Sequence, residues 1–284
     1  MTDNTQETEE LNETEEAQEK FPYKADGLFY RNFLVDDNYS HPYPLITGIN
    51  SLVKDVTRLK SETKKSIHVL NNSMLERVKL KELLCEASDR RQVHIRTFTE
   101  FSRSIFLNHG DSLFRTRTSK CNGYMPYILE TPEDKMDIIL EAIKFTPSFD
   151  LRYKAKSSSE QAKLIWSLFG FISEIKAQMI SDAEIRNYAP DEDTALIYFA
   201  YQRRLMVNHL IDCDDLLLLA SKLLMFFSRY RKLYRRCSGG IYVSNAQNLT
   251  KAQDYFLYAL VNDNYENVVT IDTSDFSETQ GIQT

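Results

Sequence analysis

Three aspartates in one short stretch, Asp212, Asp214 and Asp215, interrupt the apolar run YQRRLMVNHLIDCDDLLLLASKLL (Tyr201–Leu224). Their short polar side chains suit the cap of the helix that follows, and acid at a helix start suits its macrodipole. That helix is expected to open at Leu216–Leu219 and to close on RYRKLYRR (Arg229–Arg236), where four Arg and one Lys interleave with two Tyr. Such a mixture occurs on nucleic-acid surfaces and also as a solvated helix end, and the solvated end is the favoured reading. Asp36, Asp37 and His41 crowd into another stretch. A metal or acid/base group is weighed there against a solvated loop, which is preferred. Four cysteines, Cys85, Cys121, Cys213 and Cys237, lie far apart without CxxC or Cys/His spacing, so no metal site is expected and a reducing, intracellular compartment is the simplest reading.

The elements that position these groups follow from the rest of the chain. Its 284 residues suffice for one or two domains with a substantial core. The net charge of −6 is a local property: residues 1–20 hold eight acids and one Lys, leaving 34 basic against 33 acidic residues elsewhere. This acidic segment is expected to be disordered, because dense like charge and few apolar groups cannot offset ordering entropy. It shows neither a secretory nor a mitochondrial targeting pattern, and no apolar window of about 18 residues marks a membrane span.

Strand and helix signals alternate from there on. Phe29–Val35 reads as a first strand, Ser66–Ala87 as a strand and helix, and Val93–Phe106 as a strand, a turn and a packed helix that buries Phe101. Residues 109–197 turn mainly helical, with Thr131–Pro132, Ser157 with Glu160, and Ser181 with Glu184 as start signals. Trp166, Phe169 and Phe171 stand at helical spacing and are expected in a core. Gly239 and Gly240 are expected to stop a helix before a short strand, Ile241–Val243, that ends at Ser244, and a new helix starts near Asn248. A further strand is read at Asn267–Asp272.

In this order the blocks resemble the first motor domain of UvrD-like superfamily-one helicases. There, YQRRL and DFDDLLLL lead into a strand ending in DExQ, and D-x-x-x-x-Q follows on the next helix. Asp212, Asp214, Asp215, Gln247 and Gln253 keep that framework, whereas Ser244 and Asn245 stand where the family carries Asp-Glu. VHIRTFTEFSRSIF resembles the family's VRVSTFHSFALRIL, and NVVTID its VVGDxDQS strand, with Asp272 at the Asp position. The resemblance spans roughly residues 28–284. It implies an α/β P-loop nucleoside-triphosphatase (RecA-like) fold, a parallel sheet flanked by helices. The motor domain would comprise residues 21–108 and 198–284, with a mostly helical inserted subdomain at 109–197.

The resemblance also assigns candidate sites. VDDNYSHP falls at the phosphate loop, so Asp36, Asp37, Asn38, Ser40 and His41 form a degenerate nucleotide loop, with His41 at the Lys position and Pro42 at the Thr position. The following YPLITGINSLV aligns with the helix after that loop. A phosphate loop needs glycines that free backbone N–H groups, a Lys for the β and γ phosphates, and a hydroxyl for magnesium. None is supplied here. Two carboxylates ~4 Å apart at an effective dielectric of ~20 repel by roughly 4 kcal/mol, and Asp36 with Asp37 would likewise oppose a triphosphate.

The expected function is therefore a pseudohelicase: no intact catalytic residue (degenerate His41, Pro42, Ser244 and Asn245; retained Gln247 and Asp272), no cofactor unless the degenerate loop still holds ATP and magnesium, and a binding or regulatory role. DNA is the implied ligand, through Asn72, Ser73, Thr97 and Phe98. The alternative is the amino-terminal half of an ATP-dependent DNA helicase whose second motor lobe is missing here or comes from a partner protein. No membrane partner is expected.

Overall fold

A computed structural model of the chain describes residues 45–47, 49–85, 92–114, 125–244, 246–261 and 268–272. The acidic segment 1–20, the expected strand Phe29–Val35, the loop residues Asp36, Asp37, Asn38, Ser40, His41 and Pro42, and Asn245 lie outside them.

Strands and helices alternate at the start: β1 (Leu45–Thr47), α1 (Ile49–Glu62), β2 (Ser66–Leu70), α2 (Met74–Cys85), β3 (Val93–Arg96), α3 (Phe98–His109) and the single turn α4 (Asp111–Phe114). Next come β4 (Tyr127–Leu129), α5 (Pro132–Lys144), α6 (Pro147–Lys154), α7 (Ser158–Ala177), α8 (Ile185–Tyr188), α9 (Glu192–Val207) and β5 (Leu210–Asp212). The chain continues through α10 (Cys213–Phe226), α11 (Ser228–Cys237), β6 (Ser238–Ser244), a 3-10 turn (Ala246–Asn248), α12 (Lys251–Val261) and β7 (Val268–Asp272).

Five strands form one sheet in the order β1-β7-β6-β2-β3, and every pairing is parallel. Parallel neighbours need crossover connections, and the intervening helices supply them on both faces. Alternation along β2 sorts its side chains: Ile67 and Val69 join Leu52, Val56, Leu80 and Tyr242 under α1 and α2. Leu70 faces the other way, into the core that Phe98, Phe101, Leu216, Leu219, Phe256 and Leu260 build from α3, α10 and α12. The expected parallel sheet flanked by helices is thus present. Phe101 is buried as expected.

The helices between β4 and β5 have their own core, running from Leu129 through Ile139, Ile172 and Ile185 to Tyr201 and Leu205. β4 and β5 pair with each other, parallel, in a separate two-stranded sheet where the chain enters and leaves this unit. The expected division at 197/198 falls inside α9, and packing groups the whole of α9 with the inserted helices. Thr131 and Ser157 form capping boxes with Asp134 and Glu160, at the helix starts read from sequence. Ser181 donates its N–H and its hydroxyl to Glu184 Oε2, but Glu184 N bonds the Ser181 carbonyl, so the box is not closed, and only the single turn α8 follows.

Four local expectations are corrected. Tyr43–Val53 does not continue as one helix. Leu45–Thr47 pairs with β7 as a strand, and α1 starts only after Gly48. The run from Leu216 to Arg236 is two helices, broken at Phe227, whose φ of −116° and ψ of 89° leave the helical region. The break turns α11 onto α3, where Tyr230 stacks on His109 with 4.3 Å between ring centroids.

Gly239 and Gly240 do not end a helix; they lie inside β6. Pairing shifts there, from Ser66 with Ser238 to Ile67 with Gly240, so Gly239 is the extra residue of a bulge. A Cβ on Gly239 would sit 2.9 Å from Thr63 Cγ2, and one on Gly240 2.7 Å from Leu59 Cδ2. The two glycines let the end of α1 lie directly on the strand. Finally, Trp166 is 57% exposed rather than core. The buried stripe of α7 is Leu168, Ile172, Ile175 and Lys176, and Trp166 lies two residues off it.

His68 on β2 occupies a position where an apolar residue is expected. It is buried and stacks on Phe101 with ring centroids 4.6 Å apart. Burial, with His94 and Arg96 nearby, pushes its pKa down to about 3. A base whose folded pKa is depressed contributes full stability above its unfolded pKa, about 6.5, and loses it as pH falls toward 3. We therefore expect about 2 kcal/mol of the stability lost between pH 7.5 and 5 to come from this residue. Urea unfolding of His68→Phe at both pH values should show a correspondingly smaller drop than the unaltered chain.

Candidate functional site

In open parallel sheets, ligands bind outside the carboxyl ends of the strands. Here those ends bring the described candidates to one edge. Thr47 pairs with Asp272, and Ser244 with Ile271, so β1, β7 and β6 finish side by side. Gln247 lies in the 3-10 turn just past β6. Asn72 and Ser73 follow β2, and Thr97 follows β3. Ser244 is 5% exposed and its Oγ has no hydrogen-bond partner among the described residues.

Most polar side chains at this edge are committed to holding the backbone. Thr97 Oγ1 accepts from Glu100 N at 3.0 Å, and Thr97 N donates to Glu100 Oε2 at 2.8 Å, a closed capping box on α3. Glu100 also pairs with Arg77 at 2.9 Å, tying α2 to α3. The neighbouring Asn71, which sequence reasoning passed over, is buried. It accepts from Ser73 N and donates to Glu76 Oε2, both at 2.5 Å. Ser73 Oγ accepts from Glu76 N at 3.3 Å, so only Asn72 is exposed and uncommitted in this loop. Gln253 makes a box with Thr250, at 3.1 and 3.3 Å, at the start of α12.

Phe98 does not reach the edge's surface: it is 1% exposed and packs edge-on against Phe256. As the first residue of α3 on its core-facing stripe, it is an anchor, and its assignment as a nucleic-acid contact is corrected. Residues 36–42, read from the sequence as the nucleotide loop, lie outside the described residues. Residues 36–42 precede β1, whereas a phosphate loop lies between a strand and the helix that follows it. Between β1 and α1 there is one residue, Gly48. Among the described residues no group of three metal-ligating side chains occurs.

A second polar assembly joins the inserted helices to the sheet lobe. Asp212, at the end of β5, caps α10 through reciprocal bonds with Asp215 at 3.0 Å, as its position in the sequence suggests. Its Oδ2 also accepts from Lys176 Nζ of α7 and Tyr201 Oη of α9, each at 2.6 Å. Lys176 lies 2.5 Å from Asp215 as well. Next to it, Lys135 of α5 pairs with Asp214 at 2.7 Å and donates to Ser173 Oγ at 2.8 Å. Both lysines were missed. The available signal was a single Lys on the apolar stripe of each helix.

Burial alone would raise the Asp212 pKa. Lys176, Lys135 and the two hydrogen bonds reverse that and hold the carboxyl well below the usual range. Burial likewise opposes the Lys176 charge, and Asp212 with Asp215 hold it above the ordinary lysine value. Both signs agree: the pair is charged at neutral pH. Its contribution is present above about pH 4 and is lost as acid protonates Asp212, and it is lost again only above the usual lysine range.

An all-parallel sheet with helices on both faces, and helices packed as a second core between β4 and β5, is an α/β fold of the P-loop type. Residues 56–274 match the UvrD/REP helicase N-terminal domain, and the chain belongs to that family. Comparison with curated proteins gives no match. No helix among the described residues is long and apolar enough to cross a membrane.

Removing one member of a buried pair costs about 3–5 kcal/mol. Asp212→Asn, with Asp215 still facing Lys176, is expected near the lower figure. Lys176→Met takes the nearest cation from both Asp212 and Asp215 and should cost more. Urea unfolding at pH 7 should rank the two variants in that order.

Proposed function

We propose that this chain is a catalytically degenerate UvrD-like helicase lobe that serves as a DNA-binding or regulatory module rather than as a motor. The observation that carries the reading is the one-residue link between β1 and α1. A phosphate loop places a run of glycine-punctuated residues, then Lys and Ser/Thr, between its strand and helix. Gly48 alone has neither the length nor the Lys and hydroxyl to hold a triphosphate with magnesium.

Chemistry past β6 supports the same reading. Ser244 and Asn245 stand where the family carries Asp-Glu, and the Asn245 amide cannot accept a proton from water as a carboxylate can. Of the two glutamines kept from the family pattern, Gln247 and Gln253, the second is occupied in a helix cap. The framework residues that persist are those that shape the fold: Tyr201, Asp212 and Asp215 fasten the insertion to the sheet lobe. For nucleic acid, the exposed Asn72 and the cap residue Thr97 at the carboxyl edge are the contacts we assign, with Ser73 positioning the loop between β2 and α2.

Two titrations test the proposal. A fluorescent ATP analogue with magnesium should show no saturable binding below about 1 mM. Tighter binding, or ATP turnover by the purified chain, would instead support an active helicase half completed by a partner. A labelled single-stranded oligonucleotide should bind at low salt, with log affinity falling by about 0.7 per phosphate contact for each log unit of salt. Asn72→Ala should weaken it by a few fold. Absence of binding at low salt would leave only the regulatory role.

A further inference from the structure

The outward face of α11 is basic and has no acidic residue of its own. Arg229, Lys232, Leu233 and Arg236 fall at helical spacing on one side, and all four are exposed. The opposite side fixes how the helix is presented. Tyr230 stacks on His109 and bonds to Ser112 Oγ at 2.5 Å, and Tyr234 meets Phe101 edge-on at 6.2 Å. Among the described residues no carboxylate pairs with Arg229 or Arg236; Arg229 instead donates to the Tyr230 hydroxyl at 2.7 Å.

Apart from residues 1–20, the chain is almost neutral, so this face is a local excess of positive charge. The complementary excess lies within the same molecule. Residues 1–20 hold eight acids and one Lys, and within them Leu11 is flanked by Glu9, Glu10 and Glu13. The α11 face repeats that arrangement with opposite charge, since Leu233, 45% exposed, sits among Arg229, Lys232 and Arg236. The 24 residues between residue 20 and β1 can span up to about 80 Å, far more than the breadth of a five-stranded sheet. Tethering sets the local concentration of the acidic segment on the order of millimolar, which favours it over a free acidic partner of equal charge.

We propose that the acidic segment 1–20 docks in cis on the α11 face, with Leu11 against Leu233 and its glutamates on Arg229, Lys232 and Arg236. The contact covers the most basic helix among the described residues. It does not depend on whether the carboxyl edge binds DNA or nucleotide.

The test is zero-length carbodiimide cross-linking of the full chain, read by mass spectrometry on a mixture of light and isotopically heavy protein. Lys232 should link to carboxylates between Glu7 and Glu19 within one chain. The yield should fall about fivefold or more when salt is raised from 0.05 to about 0.5 M, because exposed charge pairs are screened. A comparable fall is expected in Arg229→Gln/Arg236→Gln, which keeps Lys232, and in Glu9→Gln/Glu10→Gln/Glu13→Gln, which leaves the folded lobes untouched. The proposal is overturned if the segment links to Lys81, Lys156 and Lys163 as readily as to Lys232. It is also overturned if the links join light to heavy chains, or if neither set of substitutions lowers the yield.

Discussion

A single buried carboxylate, Asp212, holds the two halves of this molecule in register. It ends the strand through which the chain returns from the insertion, and it begins the helix that fills the centre of the sheet lobe's core. Burying a charge there would be costly on its own, and the cost is offset because Lys176, Tyr201 and the α10 backbone all converge on it. Each donor comes from a different element. Moving α7 away from α10 would therefore take the nearest cation from a buried carboxylate, and moving α9 away would remove a hydrogen bond to it. Two three-residue strands, β4 and β5, suffice at this junction because the ionic contacts add to their pairing.

The same economy is visible at the carboxyl edge of the sheet. Thr97, Asn71, Ser73 and Gln253 all use their polar groups on neighbouring backbone or on one another. Such bonds fix the loops after β2 and β3 and the start of α12. In the reading proposed above, what persists from the helicase family is the set of residues that satisfy buried or terminal backbone groups. What has changed is the set that would touch phosphate and magnesium.

How much of this was legible from the sequence depends on the range of the interaction. Local signals read well: the strands at Ser66, Val93 and Val268, the caps at Thr131 and Ser157, and the aspartates heading α10 all emerge from neighbouring residues. Features set by distant contacts did not. Gly239 and Gly240 look like a helix stop, yet they answer to Leu59 and Thr63 packing from across the sheet. Phe227 breaks a run that propensity alone would continue, because Tyr230 and Tyr234 find partners on α3. Leu45–Thr47 becomes a strand only because β7, more than two hundred residues later, offers a parallel edge. Lys135 and Lys176 are ordinary-looking lysines until the fold brings three aspartates to them.

The proposal rests on the single residue that the sequence leaves between β1 and α1, too short a link for a phosphate loop. It is tested most directly by a crystal structure of the chain grown with a non-hydrolysable ATP analogue and magnesium at saturating concentration. The account predicts β1 passing into α1 through that one residue, with no nucleotide density at the carboxyl ends of β1, β7 and β6. Phosphates bound there, with magnesium held near Ser244 or Asp272, would contradict it.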